Sequence, residues 1–258
     1  MAESGWTAVE ITGSAGAAPL VLVCEHASRA IPAELDALGL DDEARSAHVA
    51  WDIGAAVLAR RLSERLDAPL VSGGLSRLVY DCNRPLSAPD CIPARSERFD
   101  VPGNRGLDEA ARRLRFERVH EPFHAALADV CRTQERRCGR AIDLVTVHSF
   151  TPVYLGVSRA VEIGFLHHDE PALARAALAA ERARGIHRAE LDEPYAAADG
   201  VTYTLARHGE GAGRRSLMIE VRNDLIASDA AAARMGDHLA GTLARALAVA
   251  PQAAGASP

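Results

Sequence analysis

The sequence is short of several things, and each shortage closes off a class of function. Its five cysteines (Cys24, Cys82, Cys91, Cys131 and Cys138) form no Cys-x-x-Cys pair. An odd count of unpaired thiols fits a reducing compartment. Apolar runs are short, and none approaches the ~18 residues of a membrane span. The opening Met1-Ala2-Glu3-Ser4-Gly5 lacks the basic region and apolar core of a secretory leader, so a cytoplasmic location is expected. Positive charge is not in excess: Lys+Arg 29 against Asp+Glu 35 gives a net charge of −6. With no basic stretch interleaved with aromatics, neither nucleic acid nor membrane is an expected partner. No Gly-x-Ser-x-Gly elbow is present. The glycine-rich loop Gly209–Gly213 lacks the Lys-Ser/Thr ending of a phosphate cradle. There is no internal repeat and no coiled-coil heptad.

What is present is an ordinary globular composition, 258 residues with 48% hydrophobic and 25% charged. That length suits one large α/β domain. The expectation is a single domain over residues 1–258, its core at about 18–249 and residues 251–258 a flexible tail. Short continuous apolar runs predict buried strands at 19–24, 69–71, 143–147, 161–166 and 216–221. Leu78–Tyr80 and Tyr203–Leu205 are weaker strand candidates. Helical spacing of Ala50, Ile53, Val57, Leu58, Leu62 and Leu66 predicts a helix from about 42 to 66. Further helices are expected at 107–137, 171–184 and 229–249. Residues 85–106 hold Pro85, Pro89, Pro93, Pro102, Gly103 and Gly106 and read as a long irregular excursion. Strands alternating with helices imply an α/β sheet covered on both faces.

Two histidines stand where apolar runs end. Leu20–Cys24 closes on Glu25-His26, and Ile142–Val147 closes on His148-Ser149. Either histidine alone is as well explained by a hydrogen-bonded strand cap. The pair, delivered to the carboxyl edge where α/β sheets bind ligands, points to a metal. His48 and Asp52, four apart on the expected helix, share a face. They either brace a loop or give the metal a carboxylate, Asp52, with His48 orienting a ligand from behind. Two histidines, one carboxylate and an open position form a common hydrolytic zinc set.

Ser76-Arg77 through Asp81-Cys82-Asn83-Arg84-Pro85 gathers two guanidinium forks suited to carboxylate recognition. Glu220 interrupts the apolar strand Leu217–Val221. A buried carboxylate needs a partner, so it is either an ion pair with Arg222 or a general base. His208 before the glycine loop is either exposed or substrate-facing. Cys24 and Cys82 flank the region, but nothing in the sequence shows how either would be activated.

With these segments assembled, the chain resembles the N-formylglutamate amidohydrolase family over most of residues 18–228. The resemblance rests on Cys24-Glu25-His26-Ala27-Ser28, His48-Val49-Ala50-Trp51-Asp52-Ile53-Gly54-Ala55, Ser76-Arg77 with Asn83-Arg84-Pro85, and Val147-His148-Ser149-Phe150. It continues through Tyr203-Thr204-Leu205 with His208, and Ile219-Glu220-Val221-Arg222. It implies a mixed, mostly parallel sheet between helices, similar to zinc exopeptidases (phosphorylase/hydrolase-like) and aspartoacylase-like deacylases. It also implies zinc on two histidines and a carboxylate, an Asn-Arg pair for the substrate carboxylate, and a late-strand Glu as base. Two departures stand out. The exopeptidase first motif is His-x-x-Glu, whereas Arg29 follows His26 by three, so the carboxylate ligand must come from elsewhere: Asp52, with Glu25 or His48 in reserve. The family's Pro-His with a nearby Gly is here Glu25-His26-Ala27-Ser28, which marks a divergent branch.

The resulting expectation is a zinc-dependent amidohydrolase acting on an N-formyl or N-acyl amino acid such as N-formylglutamate. His26, Asp52 and His148 would hold the metal and Glu220 would act as base. Asn83, Arg84, Arg77 and Arg222 would hold substrate carboxylates, and His208 would stabilise the oxyanion. The competing readings are a zinc peptidase or deacylase with another substrate, a non-catalytic binding module on the same fold, and a thiol hydrolase using Cys24 or Cys82.

Overall fold

Leu20–Cys24 is apolar at every position, and it becomes a strand buried at every position. Only a strand covered on both faces has that pattern. In the computed structural model, which describes residues 5–13 and 16–248, this strand lies near the middle of a seven-stranded sheet. The strands of that sheet are β1 (Val9–Thr12), β2 (Leu20–Cys24), β3 (Leu70–Gly73), β6 (Asp143–Phe150), β9 (Ile163–Leu166), β10 (Ala189–Leu191) and β11 (Ser216–Arg222). Two small hairpins supply β4 (Arg95–Ser96) with β5 (Phe99–Asp100), and β7 (Val153–Tyr154) with β8 (Val157–Ser158). The helices are α1 (Asp42–Ser46), α2 (Ala55–Leu66), α3 (Glu109–Arg115), α4 (Glu121–Cys138), α5 (Ala172–Arg182) and α6 (Asp229–Leu247).

The spatial order is β1-β3-β2-β6-β11-β9-β10. β3, β2, β6 and β11 run parallel. β9 lies antiparallel to β11, and β1 antiparallel to β3. The sheet is therefore mixed and mostly parallel, with helices on both faces. Alternation along each strand divides the core in two. Leu20, Leu22, Val145, Val147, Leu217 and Ile219 face α2, α5 and α6. Val21, Val23 and Leu144 face the side covered by Phe123, Leu127 and Cys131 of α4. Each fully buried leucine contributes about 1.5–3 kcal/mol relative to exposure. Among the described residues, no helix is long and apolar enough to cross a membrane.

The expected helix over 42–66 is two helices with an irregular stretch between them. Asp41 caps α1 by accepting from the Ala44 amide at 2.8 Å, and the chain turns extended at Ala47. Gly54 stands at the N-cap of α2 with φ +81°, and an added Cβ there would run into the Ile226 carbonyl. A helix cannot pass through that conformation. Leu78–Tyr80 is a turn rather than a strand; its apolar residues are buried against the α4 side of the core. Tyr203–Leu205 enters a helical turn, not a strand. The 107–137 helix begins only at Glu109 and carries a π-helical turn at Phe116–His120. Strands β1 and β10 escaped the sequence reading because they are only four and three residues long, too short for their alternation to stand out. The tail at 251–258 lies outside the described residues, as does the end of the 229–249 helix beyond 248.

Candidate active site at the sheet edge

β2, β6 and β11 end at one edge of the sheet, and their last residues converge. His148 and Glu220 are register partners on adjacent parallel strands, so both side chains stand on the same face. His26 follows β2 by two residues. Asp52 reaches them from the irregular stretch before α2, where its amide donates to the His26 carbonyl at 2.9 Å. Leaving the helix is what lets Asp52 turn inward. All four side chains are buried.

One carboxylate oxygen organises the group. Asp52 Oδ2 lies 3.3 Å from His26 Nδ1 and 2.9 Å from His148 Nδ1. The two imidazole rings stand 5.0 Å apart, centre to centre. Each ring has a second carboxylate behind it. His26 Nε2 lies 2.8 Å from Asp81 Oδ1. His148 Nε2 lies 3.1 Å from Glu25 Oε2, a charge contact whose angle falls short of a hydrogen bond. Arg77 ties the acids together, donating to Asp52 Oδ1 at 3.4 Å and Asp81 Oδ2 at 2.9 Å.

The electrostatics follow from this alternation of charges. Burial opposes ionisation of Asp52 and Asp81. The neighbouring imidazoles, and Arg77 for Asp81, outweigh it and hold both carboxyls well below the usual range. Burial likewise works against a charged His148, but Glu25 and Asp52 raise its pKa well above that of a free imidazole. Glu220 differs. Burial dominates over the attraction of His148, and its carboxyl is pushed up to about 7. Its Oε2 is buried with no partner among the described residues.

His26, Asp52, Arg77, His148 and Glu220 line a cavity of about 240 Å³ that also touches His48, Arg84, Ser149, Tyr154 and Tyr195. Asn83 borders it, yet both ends of its amide are engaged: Nδ2 donates to the Val201 carbonyl and Oδ1 accepts from the Thr204 amide. Arg84 borders it with Nε on Asp90 at 2.8 Å. His48 Nδ1 stands 3.9 Å from Asp52 Oδ1, so that pair is kept although the helix is not. Two expected site residues do not reach the cavity. His208 lines a different one, with Nε2 2.8 Å from His124 Nδ1. Arg222 pairs with Asp224 at 2.8 Å. Glu25, held in reserve as a ligand, stands behind His148. Burial is the main cause that raises the thiols of Cys24 and Cys82 well above their ordinary pKa, which keeps both protonated and weakens the thiol-hydrolase reading.

The sequence reading gave no part to Asp81, Tyr195 or Arg159. Asp81 had a signal, since it sits inside the Asp-x-Asn-Arg block beside Arg77. Tyr195 and Arg159 had none, because both lie outside the motifs; the fold alone brings Tyr195 to the cavity wall and Arg159 against Tyr195.

Residues 18–227 match the family model for N-formylglutamate amidohydrolase. The chain belongs to the N-formylglutamate amidohydrolase family. It is similar to the gene product Atu2144 from Agrobacterium tumefaciens, at 43% identity over 93% of this chain and 94% of that one, with a TM-score of 0.90. It shares its fold with the N-formylglutamate amidohydrolase from Ralstonia eutropha JMP134, at 20% identity over 93% and 97% of the two chains, TM-score 0.64. No curated protein matches the chain. Family membership supports amide hydrolysis as the class of reaction.

Proposed function

We propose that this family member is a zinc-dependent amidohydrolase that removes the formyl or another small acyl group from an N-acyl amino acid such as N-formylglutamate. The observation that carries the reading is the meeting of His26, His148 and Asp52, whose ligand atoms lie within 4.8 Å of one another. Ligand atoms on a tetrahedral zinc with bonds of ~2.0–2.1 Å stand roughly 3.3 Å apart. Of the two nitrogen-to-oxygen distances, 3.3 Å equals that spacing and 2.9 Å falls below it. The far nitrogen of each imidazole faces a carboxylate, the arrangement that fixes ring orientation around protein-bound zinc.

Zinc held there supplies the Lewis acidity that polarises an amide carbonyl and acidifies water. The chain's own residues do the rest. Glu220, with an unpartnered oxygen and a carboxyl shifted to about 7, takes a proton from the attacking water and returns it to the leaving amine. Arg77 holds Asp52 and Asp81 in place through its fork, so its part is to position ligands rather than to grip substrate. Arg84 keeps Nη2 for a substrate carboxylate, while Asn83 fixes the 201–204 segment that walls the cavity. A cavity of about 240 Å³ suits a small amino-acid derivative.

The test is metal analysis joined to an activity screen. The purified protein is expected to carry about one zinc per chain and to hydrolyse N-formylglutamate or a close N-acyl analogue. Chelation is expected to stop turnover, and added zinc to restore it. Full activity with no metal detected, or no turnover of any N-acyl amino acid by the loaded protein, overturns the reading.

A further inference from the structure

A substrate with two carboxylates needs a second cation besides Arg84, and the other arginines picked out from the sequence are committed. Arg77 is shared between Asp52 and Asp81. Arg84 is held by Asp90 and by the Asn83 carbonyl. Arg222 is paired with Asp224 and lies 3.7 Å from Glu162.

Arg159 is different. It stands just after the β7–β8 hairpin, which continues directly from the strand bearing His148. It is half-buried and forms no ion pair with any described residue. Its guanidinium lies over three aromatic rings, 4.6 Å from the centre of Tyr154, 4.8 Å from Tyr195 and 5.6 Å from Phe150. Nη1 donates to the Tyr195 hydroxyl at 3.0 Å and to the Thr151 carbonyl at 3.5 Å. Nε and Nη2 have no hydrogen-bond partner among the described residues. The backbone is fixed from both sides: the Arg159 amide donates to the Pro152 carbonyl at 2.8 Å, and Arg222 donates to the Arg159 carbonyl at 3.3 Å. Tyr154 and Tyr195 both line the cavity that contains His26, Asp52, His148 and Glu220.

A half-buried guanidinium packed on rings gains from their faces but still lacks an anion. Because Tyr195 accepts a hydrogen bond from Arg159, its own hydroxyl proton is left to donate elsewhere. We propose that Arg159 and Tyr195 form the anchor for a carboxylate of the substrate, Arg159 as its counter-ion and Tyr195 as a second donor from the cavity wall. The inference rests on the amidohydrolase reading for the identity of the substrate, but not for the existence of the anchor. It assigns the pair to selectivity for acidic ligands and leaves the chemistry to the metal cluster and Glu220.

The test compares N-formylglutamate with its diamide, in which both carboxylates are replaced by neutral amides. Binding to the intact zinc-loaded protein is followed by calorimetry and hydrolysis in parallel, for wild type, Arg159→Met, Arg159→Lys and Tyr195→Phe. Wild type is expected to bind the dianion at least about tenfold more tightly than the diamide. Arg159→Met is expected to lose about 10- to 100-fold in dianion affinity, as befits a charge-assisted pair, with the loss in KM rather than kcat. Its affinity for the diamide stays within about threefold. Arg159→Lys recovers part of the loss, and Tyr195→Phe, which keeps the ring, loses less than Arg159→Met. Equal dianion binding by wild type and folded Arg159→Met overturns the anchor, as does a wild type that does not distinguish dianion from diamide. Selective binding lost in Arg159→Met, without turnover in wild type, supports the anchor and overturns the amidohydrolase reading instead.

Discussion

Two histidine clusters are buried in this protein, and their electrostatics are opposite. His26 and His148 sit among Glu25, Asp52 and Asp81, and both have raised pKa values although burial works against the charged ring. His120, His124 and His208 sit around Tyr203 with no carboxylate within ion-pair range among the described residues. Burial is the largest cause in all three, and it holds them at about 4, 2 and 4. There the rings bond as neutral groups. His124 donates from Nε2 to the Cys82 carbonyl at 2.8 Å, so its Nδ1 must accept from His208 Nε2. The difference teaches that burial does not decide what a histidine does; its neighbours do. Ringed by acids, the first pair offers a cation a place to replace the bridging protons. Bonded to a carbonyl, a phenol and one another, with His120 Nδ1 the one buried ring nitrogen of the three left without a partner among the described residues, the second cluster packs α4 and the turn before it against the 203–209 segment.

The largest expected effect breaks the first cluster outright. His148→Ala is expected to abolish both bound zinc and turnover, read by elemental analysis and by hydrolysis of N-formylglutamate, whereas His124→Ala leaves zinc content unchanged. Next comes the base. Glu220→Gln is expected to lower kcat by about 10²–10⁴, the range for a general base, with zinc retained. Its carboxylate form is the active one, so activity falls as pH drops through its pKa. That value is about 7 in the cation-free protein, and a nearby divalent cation moves it lower. The shift is visible by comparing the Glu220 titration in loaded and chelated protein by NMR.

Asp81→Asn probes the group behind His26. It is expected to weaken zinc about 10- to 100-fold, measured by competition with a chelator, while the fold is kept.

A fourth comparison sets the clusters against each other through pH. For His120, His124 and His208 the folded pKa lies below the unfolded value of about 6.5. Between pH 6.5 and about 4 the unfolded chain therefore binds more protons. Stability is full above pH 6.5 and declines as pH falls through that window, by up to about 1.4 kcal/mol per pH unit for each histidine. Denaturant titrations of the zinc-loaded protein from pH 7 to 5 are expected to show that decline, with a shallower slope in His124→Gln. The smallest effect is expected from Tyr203→Phe, which removes a neutral bond to His120 Nε2 of 3.2 Å and an exposed one accepted from Arg207 at 2.6 Å. It should cost about 1 kcal/mol in the same titration and leave zinc affinity unmoved.

The central strands were legible because their residues are apolar on both sides. Leu20–Cys24, Ile163–Leu166 and Ser216–Val221 admit no other placement in a folded chain of this size. Glu220 was legible for the converse reason, as a charge inside such a strand. The stretch 47–54 was misread as helix because its spacing of apolar residues is helical, while its conformation is set by contacts far along the chain. Gly54 adopts φ +81° against Ile226, and the Asp52 amide bonds to His26. His208 and Arg222 stand inside family-like motifs but point to other partners, His124 and Asp224. The roles of Asn83 and Arg77 shifted in the same way. Both border the cavity, and both spend hydrogen bonds on the protein itself.

By itself, then, the sequence determined which central segments are strands, that His26 and His148 stand where two of those strands end, and which residue types are at hand. Those are local properties, set by hydrophobic periodicity and by what cannot be buried unpaired. Tertiary structure alone decided that Asp52 is the carboxylate the two imidazoles share, that Glu25 and Asp81 stand behind them, and that Arg159 is brought beside Tyr195 without an acid. Each of those facts is a distance between residues remote in the chain, fixed only when strand order, register and loop paths are fixed together.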